Sequence, residues 1–304
     1  MSGIEVRGAV AADLPGIAAV ALATGQDGEW GGADPAYMSH LLAHGHVVVG
    51  ELAGSVVGFG ATRQLGSGPG AVSMLCDLFV HPRLHGGGCG RAMLARLWPG
   101  GDGPGRDGHR DGPGAGRRMT FSSQHKNALP LYARFGLDAW WPLLYLRGRV
   151  DAVAALARQG PPGWRAEAAE AAEVAALELD WTGVDRSADH LAWARRPGGA
   201  GLLAGRGGQL LAAATAGGAG SGYGVTHLAL APAAGDADAA AAVLTVLASL
   251  EPEDGQAQAC LPAPHPAVRM LLGAGWRIED HDLFMATDPA LLDPYRAVPS
   301  PALA

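Results

Sequence analysis

Hydrophobic residues in this chain come in short runs whose period keeps switching between two and roughly three and a half. The opening "IEVRGAV" (Ile4–Val10) alternates and predicts a strand. "AADLPGIAAVALATG" is an apolar helical run, with Asp13 placed as its cap. A Gly-rich acidic loop, "QDGEWGGADP", leads to a short predicted helix around "AYMSHLLAHG". "HVVVGELAGSVVGFGATRQL" holds two β-branched runs joined at Ala53-Gly54, the pattern of a hairpin. "AVSMLCDLFV" predicts a strand, "RAMLARLW" a helix, "RRMTFSS" a strand, "NALPLYARFG" a helix and "WWPLLYLRG" a closing strand.

The second half repeats much of that order. "AEAAEVAALELDWTG" predicts a helix, "GLLAGRGGQLLAAATA" a hairpin and "GYGVTHLAL" a strand. Helix "DADAAAAVLTVLASL", strand "AQACL", helix "PAVRMLLGAGW" and strand "RIEDHDLFMAT" complete it. Two helix endings correspond, "LYARFG" (Leu131–Gly136) and "MLLGAG" (Met270–Gly275), each followed by an apolar strand. These patterns predict a duplicated α/β (α+β) fold. The expected domains are 1–148 and 164–289, with 149–163 as a linker and 290–304 as a loose tail. "PGGDGPGRDGHRDGPGAG" (Pro99–Gly116) lacks any large apolar residue and reads as a flexible surface insert.

Composition narrows the function. Hydrophobic residues make up 48% and charged ones 17%, so each half can bury its own core. The net charge of -7 argues against non-specific nucleic-acid binding and leaves room for a small cationic partner. Three cysteines, Cys76, Cys89 and Cys260, form no CxxC pair or even framework, which suits reduced thiols in a cytoplasm. The N-terminus lacks a basic-then-apolar signal and no window approaches 18 apolar residues, so neither export nor membrane spanning is expected.

The chemistry concentrates in "VHPRLHGGGCGRAML" (Val80–Leu94), where a strand runs into a helix through Gly86, Gly87, Gly88 and Gly90. A nucleotide P-loop would need Lys and a hydroxyl where Arg91-Ala92 stand, and a GxGxxG fingerprint from Gly88 would need a glycine where Met93 stands. A tight turn needs fewer glycines. The remaining explanation is a pyrophosphate cradle, in which outward amides at a helix N-terminus grip phosphate and glycines let the backbone approach.

The loop resembles the acyl-CoA motif of the GNAT acyltransferase superfamily, Val-x-Pro followed by Arg/Gln-x-x-Gly-x-Gly/Ala. Val80, Pro82, Gly88 and Gly90 match, and His85 replaces the Arg/Gln. "ALPLYARFGL" is similar to the second family motif, with Tyr132 at its tyrosine. The resemblance covers the first half. It implies two tandem GNAT acyl-CoA N-acyltransferase folds, each a mixed, mostly antiparallel twisted sheet flanked by helices.

The activity implied is direct transfer of an acetyl group from acetyl-CoA, as co-substrate, to a primary amine of a small molecule or a peptide in a ternary complex, with no metal. The resemblance places acetyl-CoA contacts at Leu78, Phe79, Val80, His85, Gly86, Gly87, Gly88, Cys89, Gly90, Arg91 and Asn127. A backbone N–H near Leu78–Val80 would polarise the thioester carbonyl. Tyr132 would protonate or hydrogen-bond the departing thiolate; a packed aromatic is its bland alternative.

The base stays open between Asp77, the only carboxylate in "AVSMLCDLFV", and the acidic loop. Strand alternation sets Asp77 opposite Met74 and Cys76. Asp27, Glu29 and Trp30 (with Asp34 nearby) form a candidate acceptor wall, Glu29 doubling as a candidate base; Trp140 and Trp141 offer a second wall or core packing. His40 and His44 have a metal-like i, i+4 spacing, but no Glu or Cys completes it, and a solvated helix face is the better reading. Cys89 reads as packing rather than a nucleophile.

The second half keeps one glycine, Gly235, in "LALAPAAGDADAAAAVL", with Asp236 and Asp238 where phosphates would go and Leu271 at the tyrosine position. That pattern reads as a degenerate unit that covers a cleft or buries an interface, including a homodimer's. The competing function is a non-catalytic acyl-CoA or small-molecule sensor with the same fold.

Overall fold

The computed structural model describes residues 3–26, 28, 31–100, 116–219 and 222–303. The chain divides into two compact units. One comprises the residues up to Trp140 with Phe284–Leu291 and Leu303; the other comprises Trp141–Leu283 with Leu292–Ala302.

In the first unit, β1 (Glu5–Gly8), β2 (His46–Leu52), β3 (Ser55–Leu65) and β4 (Val72–Val80) form an antiparallel run, and β5 (Arg117–Ser122) joins β4 in parallel. The hairpin between β2 and β3 turns on Ala53 and Gly54, whose φ angles of 51° and 80° are those its two-residue turn requires. Asp13 accepts the Val10 amide at 2.8 Å just before α1 (Leu14–Ala23), and Arg7 holds the same carboxylate from β1.

The helices take opposite faces of this sheet. α1 packs on β3 and α2 (Pro35–His44) on β2 and β3, around the fully buried Phe59. α3 (Cys89–Leu97) lies on the other face, close enough that a Cβ on Gly50 would stand 2.7 Å from Cys89 Sγ and one on Gly58 2.9 Å from Met93 Cε. Two strand glycines thus set how near α3 can approach. α4 (Ala128–Arg134) ends at Gly136, whose φ is 85°.

The second unit holds most of β6 (Asp138–Arg149), then α5 (Val150–Gln159), β7 (Trp164–Ala169), α6 (Ala171–Thr182), α7 (Ser187–Ala194), β8 (Ala200–Arg206) and β9 (Gln209–Ala219). β10 (Gly222–Leu230), α8 (Asp236–Ala248), β11 (Gln256–Pro262), α9 (Pro266–Gly273) and most of β12 (Arg277–Ala286) follow. Its strands run β6-β11-β10-β9-β8-β7, with β10 and β11 parallel and the other pairs antiparallel. The alanine-rich α8 packs against α5 around Val153, Leu244 and Leu247. Each unit is therefore a mixed, mostly antiparallel sheet flanked by helices.

Two segments differ from their sequence pattern. Residues 150–159, expected to link, form helix α5 because Val153 finds a core to enter. Residues 292–302, expected to be loose, are held by the Arg296 guanidinium, which donates to the Ala231 and Ala234 carbonyls, and by the fully buried Val298. β7 and α7 lack a clear pattern and emerge only in the fold. The insert expected at 99–116 falls mostly outside the described residues.

A buried polar network ties α6, α7, β9 and β10 together. Glu178 accepts from Arg186 Nε at 3.0 Å, His190 Nε2 at 2.6 Å and His227 Nε2 at 3.0 Å, while His190 Nδ1 meets the Thr215 hydroxyl at 2.7 Å. Burial works against the Glu178 carboxylate, but His227, His190 and Arg186 outweigh it and hold its carboxyl well below the ordinary range. A depressed folded value means the network contributes fully above the unfolded value of 4.5 and loses its contribution as the pH falls through the folded one. Glu178→Ala should cost about 3–5 kcal/mol in urea unfolding at neutral pH and flatten the acid side of the stability curve.

Candidate active site

The site begins where β4 and β5 part. Their parallel register runs Val72↔Arg117, Ser73↔Arg118, Met74↔Met119 and Leu75↔Thr120. Beyond Leu75, β4 continues for five residues without a registered partner in β5. Thr120 Oγ1 donates to the Leu75 carbonyl at 2.9 Å and closes the vertex of the gap. On its other edge β4 stays paired with β3 to its last residue, Val80↔Gly58.

At that vertex β4 carries a bulge. Thr62 faces Leu75 and Ala61 faces Asp77, so Cys76 is the extra residue. The bulge reverses the alternation expected from the sequence and turns Asp77 onto the same face as Met74. There Tyr37 of α2 donates its hydroxyl to Asp77 Oδ2 at 2.7 Å. Tyr37 is fully buried and Asp77 is 9% exposed. Burial pushes the Asp77 carboxyl up to about 6, with the Tyr37 bond pulling the other way. A carboxyl with that value, beside a gap in the sheet, can exchange a proton near neutrality.

Sequence reasoning missed Tyr37. Its signal was faint: one tyrosine in a helix whose partner sits 40 residues away.

From Val80 the chain passes His81-Pro82 and enters the glycine loop. Gly86 and Gly88 have φ of 80° and 83°, and a Cβ there would meet nothing within 4 Å, so these glycines answer to backbone conformation over open space. Gly88 is the left-handed N-cap of α3, with no side-chain cap. The first amides of α3 lack an intrahelical acceptor, as at any helix N-terminus, and Gly86, Gly87 and Gly88 are exposed. This lets the loop offer N–H groups and the positive end of the helix dipole to an anion.

His85 bonds back to the Val80 carbonyl through Nε2 at 2.8 Å, and its ring stands edge-on to His125 at 5.7 Å. It therefore braces the strand-to-loop corner. Arg91 is exposed on the first turn of α3, and Asn127 is exposed at the N-cap of α4. Cys89 is 2% exposed, burial raises its thiol, and its sulfur points at Gly50 and Gly58, the packing role its position suggested.

Tyr132 is 6% exposed on α4. On β4, Leu78, Phe79 and Val80 are half-buried, and the Phe79 ring lies 5.5 Å from Phe59. Trp140 is 39% exposed and donates to the Ala286 carbonyl at 3.1 Å, whereas Trp141 is buried. Asp27, Glu29 and Trp30 lie outside the described residues. The His40 and His44 rings lie 4.9 Å apart, tilted by 45°; among the described residues no three His, Cys, Asp or Glu side chains are grouped to hold a metal ion. Among the same residues no helix is long and apolar enough to cross a membrane.

In the second unit the corresponding helix start is closed. Gly235, the N-cap of α8, donates its amide to Asp238 Oδ2 at 2.8 Å, and Asp238 is buried and ion-paired with Arg206 at 3.1 Å. The position sequence reading matched to Tyr132 is taken by the fully buried Leu271 of α9.

Comparison with known proteins agrees with this geometry. Residues 21–137 match the acetyltransferase (GNAT) family model. No curated protein sequence matches the chain. Among solved structures, a candidate acetyltransferase of Pyrococcus horikoshii superposes with a TM-score of 0.67 at 12% identity, covering 100% of this chain and 95% of its own. A tandem GNAT protein from the clavulanic acid biosynthesis pathway gives 0.60 at 14%, covering 94% and 99%. A GCN5-related N-acetyltransferase from Kribbella flavida gives 0.55 at 13%, covering 93% and 71%. Residues 21–137 thus match the acetyltransferase (GNAT) family, and the chain as a whole has the fold of solved acetyltransferase-type structures, a tandem GNAT protein among them.

Proposed function

We propose that this protein is an acetyl-CoA-dependent N-acetyltransferase acting on a primary amine of a small molecule, with chemistry in its first unit. The observation that carries this is the parting of β4 and β5 at Leu75 and Thr120, directly ahead of an uncapped, glycine-lined helix start. A gap between strands suits a slender arm with amide groups, and the helix start suits the pyrophosphate at its far end. Acetyl-CoA supplies both, together with an activated thioester.

In this reading the amides from Gly86 to Arg91 bind the pyrophosphate, each charge-assisted bond contributing roughly 1.5–3 kcal/mol. His85 keeps the corner rigid while those amides are engaged. Leu78, Phe79 and Val80 offer backbone N–H groups to the thioester carbonyl as negative charge develops on it. Asp77 takes the proton that the amine loses on attacking that carbonyl, directly or through a water. Tyr132 gives a proton to the departing thiolate, so the phenol is restored from solvent after each turnover. Asn127, at the start of α4, completes the cosubstrate contacts.

The acidic loop with Asp27, Glu29 and Trp30 supplies the acceptor's cation contacts, in keeping with the net charge of -7. Three thiols outside any disulfide suit a cytoplasmic setting. The second unit, with Asp238 at its helix start and Leu271 in place of a tyrosine, takes no part in the chemistry.

The first test is calorimetric. Acetyl-CoA should bind at one site per chain, and a Gly88→Glu, Gly90→Glu variant should lose it; undiminished binding by that variant would end the assignment. The rate should rise with pH through about 6 as Asp77 ionises. Because the Tyr37 hydroxyl favours the carboxylate, Tyr37→Phe should move that limb to higher pH, and Asp77→Asn should remove it with a rate loss of about 10²–10⁴. Tyr132→Phe should lower kcat by roughly 10² while leaving acetyl-CoA affinity unchanged, as calorimetry on the same sample would show.

A further inference from the structure

The two units share a backbone signature that allows them to be compared residue by residue. In β4 the bulge falls at Cys76, and parallel pairing stops at Leu75. In β10, Val225 faces Ala216 and His227 faces Thr215, so the bulge falls at Thr226, and parallel pairing with β11 stops at Val225↔Ala259. Counting from the bulges, Asp77 corresponds to His227 and Leu78 to Leu228.

The second unit therefore has its own gap beyond the stop, and in this unit the gap has an occupant. Leu228 donates its amide to the Val298 carbonyl at 3.0 Å and accepts from the Val298 amide at 3.4 Å, an antiparallel bridge. Arg296 clamps the loop after β10, with Nη1 on the Ala234 carbonyl at 2.7 Å and Nη2 on the Ala231 carbonyl at 3.1 Å. Val298 is fully buried and Ser300 is 3% exposed. Pro299 and Pro301 lack amide hydrogens, which keeps the segment from extending into a longer ladder.

We propose that residues 292–302 are an intrasteric strand that fills the cosubstrate gap of the second unit and keeps it closed to an acyl-pantetheine arm. The bonds are those an amide-bearing arm would make with the same strand edge, supplied by the chain's own Val298. Two closures then act on different parts of one ligand. Asp238 at the start of α8 turns away the pyrophosphate, and the C-terminal segment displaces the arm. The proposal rests on the reading that the first unit takes such an arm in its own gap.

The test counts arm sites with and without the C-terminal segment. Both chains carry Gly88→Glu and Gly90→Glu, and one of them also ends at Leu291. The probe is S-acetylpantetheine, which has no phosphates, followed by calorimetry. Whatever the first unit's gap binds is common to both chains; the shortened chain should bind one equivalent more than the full-length one, and a peptide of the sequence AVPSPAL should displace that equivalent. A folded shortened chain that binds no more than the full-length one would overturn the proposal.

Should the shortened chain fail to fold, the full-length double variant with Arg296→Ala and Val298→Pro takes its place. It should bind one equivalent of the probe more than its parent, and no gain would overturn the proposal. Acetyl-CoA binding by the unaltered chain, measured alongside, judges the first unit's reading separately.

Discussion

The parting of two parallel strands is the constraint on which the rest of the first unit depends. Hydrogen bonding between β4 and β5 ends at Leu75 and Thr120, and a strand edge left open inside a protein is costly unless something satisfies it. The Thr120 hydroxyl takes the last carbonyl before the gap. The bulge at Cys76 then redirects the strand, so that an acid which would otherwise alternate to the other face meets Tyr37. The glycine loop begins where the open edge ends. The gap and the carboxyl beside it are thus consequences of one interrupted ladder, and a glycine turn stands at its exit.

The sequence showed the loop clearly because glycine is informative where φ is positive and side chains are excluded, as at Gly86 and Gly88. It also showed the duplication, because apolar periodicity survives divergence of individual residues. It did not show the direction of Asp77. A bulge adds one residue to a strand without altering the apolar pattern on either side, so Leu75-Cys76-Asp77 reads as plain alternation. Nor did it show Tyr37, whose importance comes from a partner on another element. Gly50 and Gly58 seemed ordinary strand glycines until α3 was seen to press Cys89 and Met93 against them. The C-terminal segment misled in the opposite way: little periodicity suggested a loose end, yet Arg296 and Val298 fasten it.

The two units answer the same topological problem with different chemistry. In the first, the residue after the bulge is a carboxyl whose burial shifts it toward neutrality. In the second it is His227, whose imidazole burial shifts downward against the pull of Glu178, and which meets that carboxylate through Nε2. One arrangement leaves a proton in play; the other gathers two imidazoles and a guanidinium on one internal acceptor. The buried ion pairs and imidazoles of the second unit tie α6, α7, β9 and β10 into one rigid body of packing.

The self-capped start of α8 has a consequence for selectivity among anions in a crowded solution. A glycine-lined helix N-terminus is indifferent to what carries the phosphate, so nucleotides and inorganic polyphosphates compete for it in proportion to their concentration. A helix start that already holds a carboxylate from its own third residue, as α8 holds Asp238, is exempt from that competition. Of the two corresponding helix starts, α3 and α8, the second is thereby withdrawn from the metabolite pool.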